Sequence, residues 1–402
     1  MRVLVVGGGI GGTVLALSLE QRGIDVVVLE SSAEMRELGV GINLLPHAVA
    51  ELAALDLLAE LDEVAIRTRE LRYLTGRGQQ VWAQDCGQWA GHRHPQFSVH
   101  RGRLHALLVR AAVDRLGDLA VRPGHELVDI DTSGAGVTAV LADGSRVRGD
   151  CLVGADGIHS RTRALLHPDG GGVRWNGVVL WRGATDWPSF EGGDTMAIAG
   201  GTDAKLVLYP IAAGTAPDRR LTNWAITARI ADPDEPPPKR QDWRRRGHLD
   251  DLVAWLERFD VPLVNAPELV RATPEFYEYP MCDRDPLPWW TRGRVTLLGD
   301  AAHPMYPMGS NGAAQAILDG RILADLLAER PIDDALSSYE AQRLAITSEI
   351  VRNNRNGGPE RMIDLVTSRA PDGFDRLEDV VSHHELAAIA TGYRRLTAGP
   401  TP

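Results

Sequence analysis

Residues 2–13 read Arg-Val-Leu-Val-Val-Gly-Gly-Gly-Ile-Gly-Gly-Thr, and residues 25–30 read Asp-Val-Val-Val-Leu-Glu. The apolar run Val3 to Val6 breaks at once into a glycine turn, with Gly7, Gly9 and Gly12 in the G-x-G-x-x-G spacing. A Leu- and Ala-rich segment, Val14 to Leu19, predicts a helix ending near Gly23, and Val26 to Leu29 predict a second strand stopping on Glu30. Strand, glycine turn, helix and strand in this order are the context that a dinucleotide fingerprint needs. Gly7 permits the tight turn, Gly9 lets the backbone reach a pyrophosphate, and Gly12 lets helix and strand pack closely. Free amides at the helix start face the anion. Glu30 stands where a carboxylate accepts hydrogen bonds from a ribose diol. The stretch predicts nucleotide binding, against the alternative of a purely structural βαβ turn.

With 402 residues the chain can bury a large core and make two or three domains. A net charge of −11 argues against nucleic acid as a partner. The short cluster Arg244-Arg245-Arg246 beside Trp243 reads as a solvated helix face. Cys86, Cys151 and Cys282 are far apart and form no C-x-x-C pair, which suits a reducing cytoplasm and predicts no metal site. The start reads as a buried strand rather than a leader, and no apolar stretch nears the ~18 residues of a spanning helix. A soluble, cytoplasmic protein without a membrane partner is expected, as a monomer or weak homodimer.

Past Glu30, Arg36 lies in a polar stretch, and Gly39 and Gly41 mark a turn with close backbone approach. Pro46 opens a helix with Leu52, Leu55, Leu57 and Leu58 on its apolar side, and residues 68–84 alternate as a hairpin around Gly76–Gly78. Ser98 or His100 caps a helix that carries Arg101 and Arg103 in its first turn, where cations oppose the helix dipole. Strands follow at Glu126–Asp131 and Gly136–Leu141, with an Asp143-Gly144 turn. Cys151 to Arg163 then repeat the strand-to-turn-to-helix design, with a turn at Asp156-Gly157 and a cap near Ser160. From 173 to 230 the pattern is β, over Val178–Trp181, Thr195–Ala199, Leu206–Ile211 and Thr222–Ile230. A Pro-rich linker, Asp232 to Pro238, leads to a helix over Asp250–Phe259. Eight of the ten tryptophans lie between Trp175 and Trp290, which suits a sheet covering a flat apolar ligand, although most of them read as core.

A third strand-to-turn-to-helix unit ends on Gly299-Asp300. A loop with Pro304 and Pro307 follows, then Gly309 to Gly312 and a long helix. Two anion sites so far apart imply a long cofactor held at both ends. Asp300 holds a sugar or ribityl hydroxyl, and the helix start after Gly309 meets negative charge at the far end. Helices over 313–329 and 334–352 close the domain, and the polar tail past Gly357-Gly358 reads as loosely packed.

Together the fingerprint with Glu30, the Asp156-Gly157 segment and the Gly299-Asp300 segment resemble those of the group A flavoprotein aromatic hydroxylases, the para-hydroxybenzoate hydroxylase type. Within that family the segments Phe97-Ser-Val-His-Arg-Gly, Tyr279-Pro-Met-Cys-Asp-Arg-Asp-Pro-Leu-Pro and Met305-Tyr-Pro-Met-Gly-Ser-Asn-Gly-Ala are most similar to the phenazine-modifying monooxygenases of pyocyanin synthesis. The resemblance implies an α/β fold. A Rossmann-like FAD-binding domain (1–72, 98–172 and 280–352) interleaves with a β-rich substrate domain (73–97 and 173–279), and C-terminal helices follow over 353–402. It implies FAD, NADH or NADPH as co-substrate, and O₂. Hydride passes to the flavin, O₂ adds to give a C4a-hydroperoxide, and oxygen passes to a fused-ring aromatic, with or without loss of a carboxyl group. Salicylate-type and other polycyclic substrates remain open, and a flavin-binding protein without turnover is the alternative class.

The same resemblance places Gly7, Gly9 and Gly12 at the pyrophosphate, Glu30 at the adenosine ribose, and Gly41 and Arg101 along the cofactor. Asp156 serves both FAD and the nicotinamide co-substrate, Asp300 the ribityl–pyrophosphate side, and Gly309 to Gly312 the flavin N1 and O2. With one fingerprint in the chain, no separate NAD(P)H domain is expected. Pro304, Tyr209 and Tyr306, with Tyr279 and His303, are the candidates for the substrate pocket.

Overall fold

The computed structural model describes residues 1–34, 40–117, 120–233, 235–237, 242 and 245–397. Arg36, Gly39, Trp243 and Arg244 lie outside them. The opening strand, Arg2–Val6, is the middle of a five-stranded sheet in the order Val295–Leu297, Cys151–Gly154, Arg2–Val6, Asp25–Leu29, Val121–Arg122. Every pairing in it is parallel, with Val3 opposite Cys151 and Val26. Parallel strands are covered on both faces and read as unbroken apolar runs, as Val3 to Val6 and Val26 to Leu29 do. Helices Ile10–Glu20, Arg101–Leu116, Asn311–Glu329 and Ile332–Arg355 contribute to its shared core.

The second body is a seven-stranded sheet in the order Phe276–Asp283, Arg174–Pro188, Arg219–Arg229, Ala204–Ala213, Thr195–Gly200, Glu70–Leu74, Gln80–Asp85. Only the pair Thr195–Gly200 with Glu70–Leu74 is parallel. Side chains alternate between its faces. Trp181, Trp224, Ala197 and Leu206 belong to a core that includes Leu252, Leu256, Leu269 and Val270. Their neighbours Leu180, Ala225, Ile198 and Val207 border a cavity. The tryptophan-rich sheet therefore does cover a chamber, but among the described residues no tryptophan borders it: Trp181 and Trp224 belong to the opposite face, Trp82 packs beneath the tail helices, and largely aliphatic residues with Tyr73 and Tyr209 form the chamber side.

Four readings differ from expectation. Arg246 bridges Tyr277 in strand fashion rather than lying on a helix face, and the helix opened by Pro46 stops at Ala54, with Asp56 at φ +60° and Leu58 starting a separate helix, Leu58–Val64. The helix over Asp250–Phe259 is instead a 3-10 turn, Leu249–Asp251, and a single α-turn, Val253–Leu256. Tertiary contacts outcompete its continuation: Leu252 and Leu256 are buried beneath the sheet, and the Asp260 amide donates to the Gly76 carbonyl at 2.9 Å. The tail is not loose. Helices Arg361–Arg369 and His383–Thr397 bury Met362, Ile363, Val366, Leu386 and Ala390 in one cluster with Tyr73, Met196 and Ile198 of the sheet.

Among the described residues no helix is long and apolar enough to cross a membrane, and no group of three His, Cys, Asp or Glu side chains is placed to hold a metal. All three cysteines are buried and unpaired.

Candidate active site

Because the parallel strands run side by side, their carboxyl ends deliver the three sequence turns to one edge, the edge at which such sheets bind ligands. Val6 leads to Gly7, Gly154 to Ala155–Gly157, and Leu297 to Gly299–Asp300. Gly7 has φ +104°, and a β-carbon on Gly12 would stand 2.0 Å from the Gly7 carbonyl oxygen, so turn and helix meet without room for a side chain. At Gly9 a β-carbon would meet nothing within 4 Å. The outer glycines close the turn, and the middle one opens it. Glu30 is fixed by the amides of Gly8 at 2.8 Å and Ser32 at 2.7 Å.

Asp156 turns into its own helix rather than outward. It accepts from Ser160 Oγ at 2.5 Å, from the Thr162 amide at 2.9 Å and from Thr162 Oγ1 at 3.1 Å, while burial raises its pKa. Ala155 and Gly157 face the cavity in its place. From the helix that Asp156 caps, the buried Arg163 guanidinium donates to the carbonyls of Ala301 (3.1 Å) and Ala302 (3.0 Å), joining the second turn to the third.

The third turn is braced from beneath. The buried Asp319 carboxylate accepts from the Gly299 amide at 3.0 Å, from His303 Nε2 at 2.6 Å and from Arg343 Nε at 2.7 Å. Burial alone would raise the Asp319 pKa, but His303 and Arg343 hold it down at about 2. Asp300, three residues past the strand, borders the cavity with Arg101 beside it. Both side chains are water-accessible yet surrounded by protein, and this enclosure raises the Asp300 pKa and lowers that of Arg101. Arg101 begins the helix Arg101–Leu116; its N-cap, His100, makes no side-chain capping bond, and Ser98 is spent inside a strand on Asn43 and Thr68. Gly309 and Ser310 have φ of +63° and +59°, and the helix Asn311–Glu329 starts there with its amides toward the cavity. At Gly312 a β-carbon would again meet nothing within 4 Å.

The cavity these turns share measures about 410 Å³. Gly9, Gly41, Arg101, Asp300, Gly309 and Gly312 border it, and so does Tyr209. Gly7, Gly12 and Glu30 shape the turn behind. Pro304 and Tyr306 do not border it, although Met305 and Pro307 do. Tyr306 is buried with Val178, Met281 and Met308, and burial pushes its phenol pKa up. His303 is consumed by Asp319. Tyr209 donates to the Gly41 carbonyl at 2.8 Å, and Arg182 donates to that carbonyl too and to Tyr279 Oη at 3.3 Å.

Sequence reasoning passed over Arg182, the buried Lys205–Glu360 ion pair, Tyr393 and Arg394, all of which border the cavity. No motif links them: strand pairing and the tail bring them together. Tyr393 fills the space against Gly309, where a β-carbon would lie 2.2 Å from its ring, and its hydroxyl bonds the Met308 carbonyl at 2.9 Å and Asn354 Oδ1 at 2.7 Å.

A long two-ended dinucleotide fits this arrangement. The open faces of Gly9 and Gly312, the first at the start of an 11-residue helix and the second in the first turn of a 19-residue one, would seat anionic or electron-rich groups on free amides. Asp300 borders the same cavity and would accept from a hydroxyl.

The family model described as FAD binding domain matches residues 1–254 and 273–354. The chain is 41% identical to the phenazine 1,6-dicarboxylic acid hydroxylase PhzS of Lysobacter antibioticus, over 98% of this chain and 96% of that one. It is 32% identical to 3-hydroxybenzoate 6-hydroxylase 1 of Aquipseudomonas alcaligenes, over 88% and 87%. The crystal structure of Klebsiella pneumoniae HpxO complexed with FAD and uric acid superimposes with a TM-score of 0.78 at 25% identity, over 100% of this chain and 97% of that one.

Proposed function

The chain belongs to the FAD-binding-domain family and is an FAD-dependent aromatic monooxygenase using NAD(P)H and O₂, and we propose that its substrate is a fused-ring, phenazine-like aromatic. The observation that carries the substrate class is the chamber. Its floor is the flat aliphatic sheet face of Leu180, Ile198, Val207 and Ala225, its far wall is the C-terminal helix at Ala390 and Tyr393, and it opens directly onto the Gly309–Gly312 turn. A planar, mostly apolar ligand fits such a slot, and the similarity to a phenazine hydroxylase along nearly the whole chain points the same way.

FAD, when bound, supplies the hydride-accepting and oxygen-activating chemistry. The residues supply the rest. Gly7, Gly9 and Gly12 make the pyrophosphate turn, and Glu30 receives the adenosine ribose. Asp300 and Arg101 hold the ribityl and phosphate stretch, with Gly41 alongside. The amides after Gly309 would favour negative charge on the bound ring system, as a helix start does. Asp156 works through its helix cap, which presents Ala155 and Gly157. Of Pro304, Tyr209 and Tyr306, only Tyr209 reaches the chamber wall, and we assign it substrate contact; Pro304 and Tyr306 shape the loop that keeps water out. In this proposal residues 1–72, 98–172 and 280–352 hold the flavin, 73–97 and 173–279 the substrate, and a nicotinamide co-substrate binds without a domain of its own. Three buried, unpaired cysteines support a cytoplasmic site of action, as a monomer or weak homodimer.

The test is NAD(P)H oxidation and oxygen uptake by the FAD-loaded enzyme across phenazines, salicylates and simple phenols, with mass analysis of products. Phenazine-stimulated turnover with one added oxygen, or with oxygen replacing a carboxyl group, is expected. Turnover confined to single-ring substrates would overturn the phenazine assignment, and flavin binding without turnover on any ring would mean a non-catalytic flavoprotein.

A further inference from the structure

Among the described residues, four cationic side chains border the cavity: Arg101, Arg182, Lys205 and Arg394. Three are engaged by the protein. Arg101 faces Asp300. Arg182 is held by Tyr279, Tyr209 and the Gly41 carbonyl. Lys205 is paired with Glu360 in a buried contact beside Met308. Arg394 alone has no hydrogen-bond or ion-pair partner among the described residues. Glu360, the carboxylate of the same wall, is already neutralised by Lys205 and leaves Arg394 without a counter-charge.

The position of Arg394 is equally specific. It follows Tyr393 and lies one turn from Ala390 on the helix His383–Thr397, and all three border the cavity. Across from it stands the hairpin Glu70–Leu74 and Gln80–Asp85, where Tyr73 and Cys86 feel its charge and Gln84 borders the same space. Arg182 lies on the strand Arg174–Pro188, four strand steps from Glu70–Leu74. At ~4.8 Å per step the two flanks of the chamber are ~19 Å apart. The chamber thus has a flavin-side flank, where cations are satisfied, and a tail-side flank, where one is not.

We propose that Arg394 binds a carboxylate on the aromatic substrate. The proposal rests on the hydroxylase assignment above. A guanidinium presents parallel donors that match a carboxylate, and Arg394, an exposed residue that borders the cavity, offers them to a group on the bound ring. Anchoring the carboxylate at the tail-side flank fixes which ring edge points back to the flavin. The family match ends at residue 354, so this anchor belongs to a segment outside the shared flavin-holding body.

The experiment titrates FAD-loaded enzyme with phenazine-1-carboxylate and with unsubstituted phenazine, following the flavin absorbance, for the native chain, Arg394→Met and Arg394→Lys. Bound FAD per chain reports folding of each variant. Arg394→Met is expected to raise the Kd of the carboxylate about fivefold, the upper worth of one ion pair at an exposed residue. The Kd of phenazine stays the same, and Arg394→Lys retains part of the preference. Equal changes for both ligands, or none for either, overturn the proposal. If the native enzyme binds benzoate-type carboxylates but no phenazine, the phenazine assignment fails, and the same comparison with benzoate against benzene decides the role of Arg394. If the native enzyme binds no aromatic at all, both fall together.

Discussion

At the residue scale, Gly9 and Gly12 separate two demands that the fingerprint spacing merges. Alanine at Gly12 would collide with the Gly7 carbonyl, whereas alanine at Gly9 would meet no protein atom. Gly12→Ala is therefore expected to destabilise the apoprotein by ~1–3 kcal/mol or prevent folding. Gly9→Ala should leave apoprotein melting unchanged and weaken FAD binding, because its methyl occupies space meant for the cofactor; calorimetry of apo and loaded forms distinguishes the two. Asp319 offers a second residue-level test. Its folded pKa of about 2 lies below the ordinary carboxylate value. The stability it contributes is therefore complete above about pH 4 and lost as pH falls toward about 2. Asp319→Asn leaves Arg343 buried without its charge partner and is expected to cost ~3–5 kcal/mol in denaturant unfolding at neutral pH. It should also flatten the acid limb of the stability profile between about pH 4 and pH 2, which a simple packing defect would not do.

At the scale of elements, the decisive contact is between the C-terminal helix and the turn before Asn311–Glu329. The Tyr393 hydroxyl bonds the Met308 carbonyl and Asn354, and receives the Asn311 amide at 3.0 Å. Tyr393→Phe strands these buried partners, at ~1–3 kcal/mol, and loosens the turn whose amides we place at the flavin. The expected signature is a larger share of hydrogen peroxide per NAD(P)H oxidised, measured against hydroxylated product. The sequence revealed the turn but not its clasp. The turn is local, with its glycines, prolines and following helix contiguous from Pro304 to Glu329. The clasp arrives from some eighty residues away, in a stretch whose charges dominate its average character. Its signal was nevertheless periodic: Leu386, Ala390, Tyr393 and Thr397 recur at helical spacing and are the buried residues of that helix. The tryptophans marked the right sheet and its core, but not which face meets the chamber. Composition counts aromatics in a strand, but only the alternation of Leu180 with Trp181, or Trp224 with Ala225, tells which face each one takes. Likewise the family resemblance placed Asp156 at the cofactors, and the local bonds to Ser160 and Thr162 show its carboxylate engaged with its own helix.

At the scale of the whole molecule, the cavity lies where two sheets and the tail converge, so cofactor binding should stiffen contacts that no single element makes. Saturating FAD at about a hundred times its Kd is expected to stabilise the fold by ~2.7 kcal/mol, read as a rise in melting temperature that vanishes when the flavin is stripped. The sheet-level architecture was legible because four of the five strands of the parallel sheet announce themselves with a buried, largely apolar run and end on a chemically marked turn; the fifth, Val121–Arg122, is two residues long and carries no such run. The arrangement of cations around the chamber was not, because Arg182, Lys205 and Arg394 share no spacing and meet only through strand pairing and the packing of the tail.

The order of strands in the parallel sheet also constrains how the enzyme is made. The opening strand, residues 2–6, waits for its neighbour at 151–154, which in turn waits for the edge strand at 295–297. A ribosome must therefore extend most of the 402 residues before the cofactor edge is complete. Until then the nascent chain carries a finished glycine turn beside an unfinished sheet, with Val3 to Val6 short of their final cover. Newly synthesised protein is expected to capture flavin only after the strand at 295–297 and the turn before Asn311 have emerged. Stalled chains of increasing length, probed for bound flavin fluorescence, would show capture as a late step rather than a gradual one.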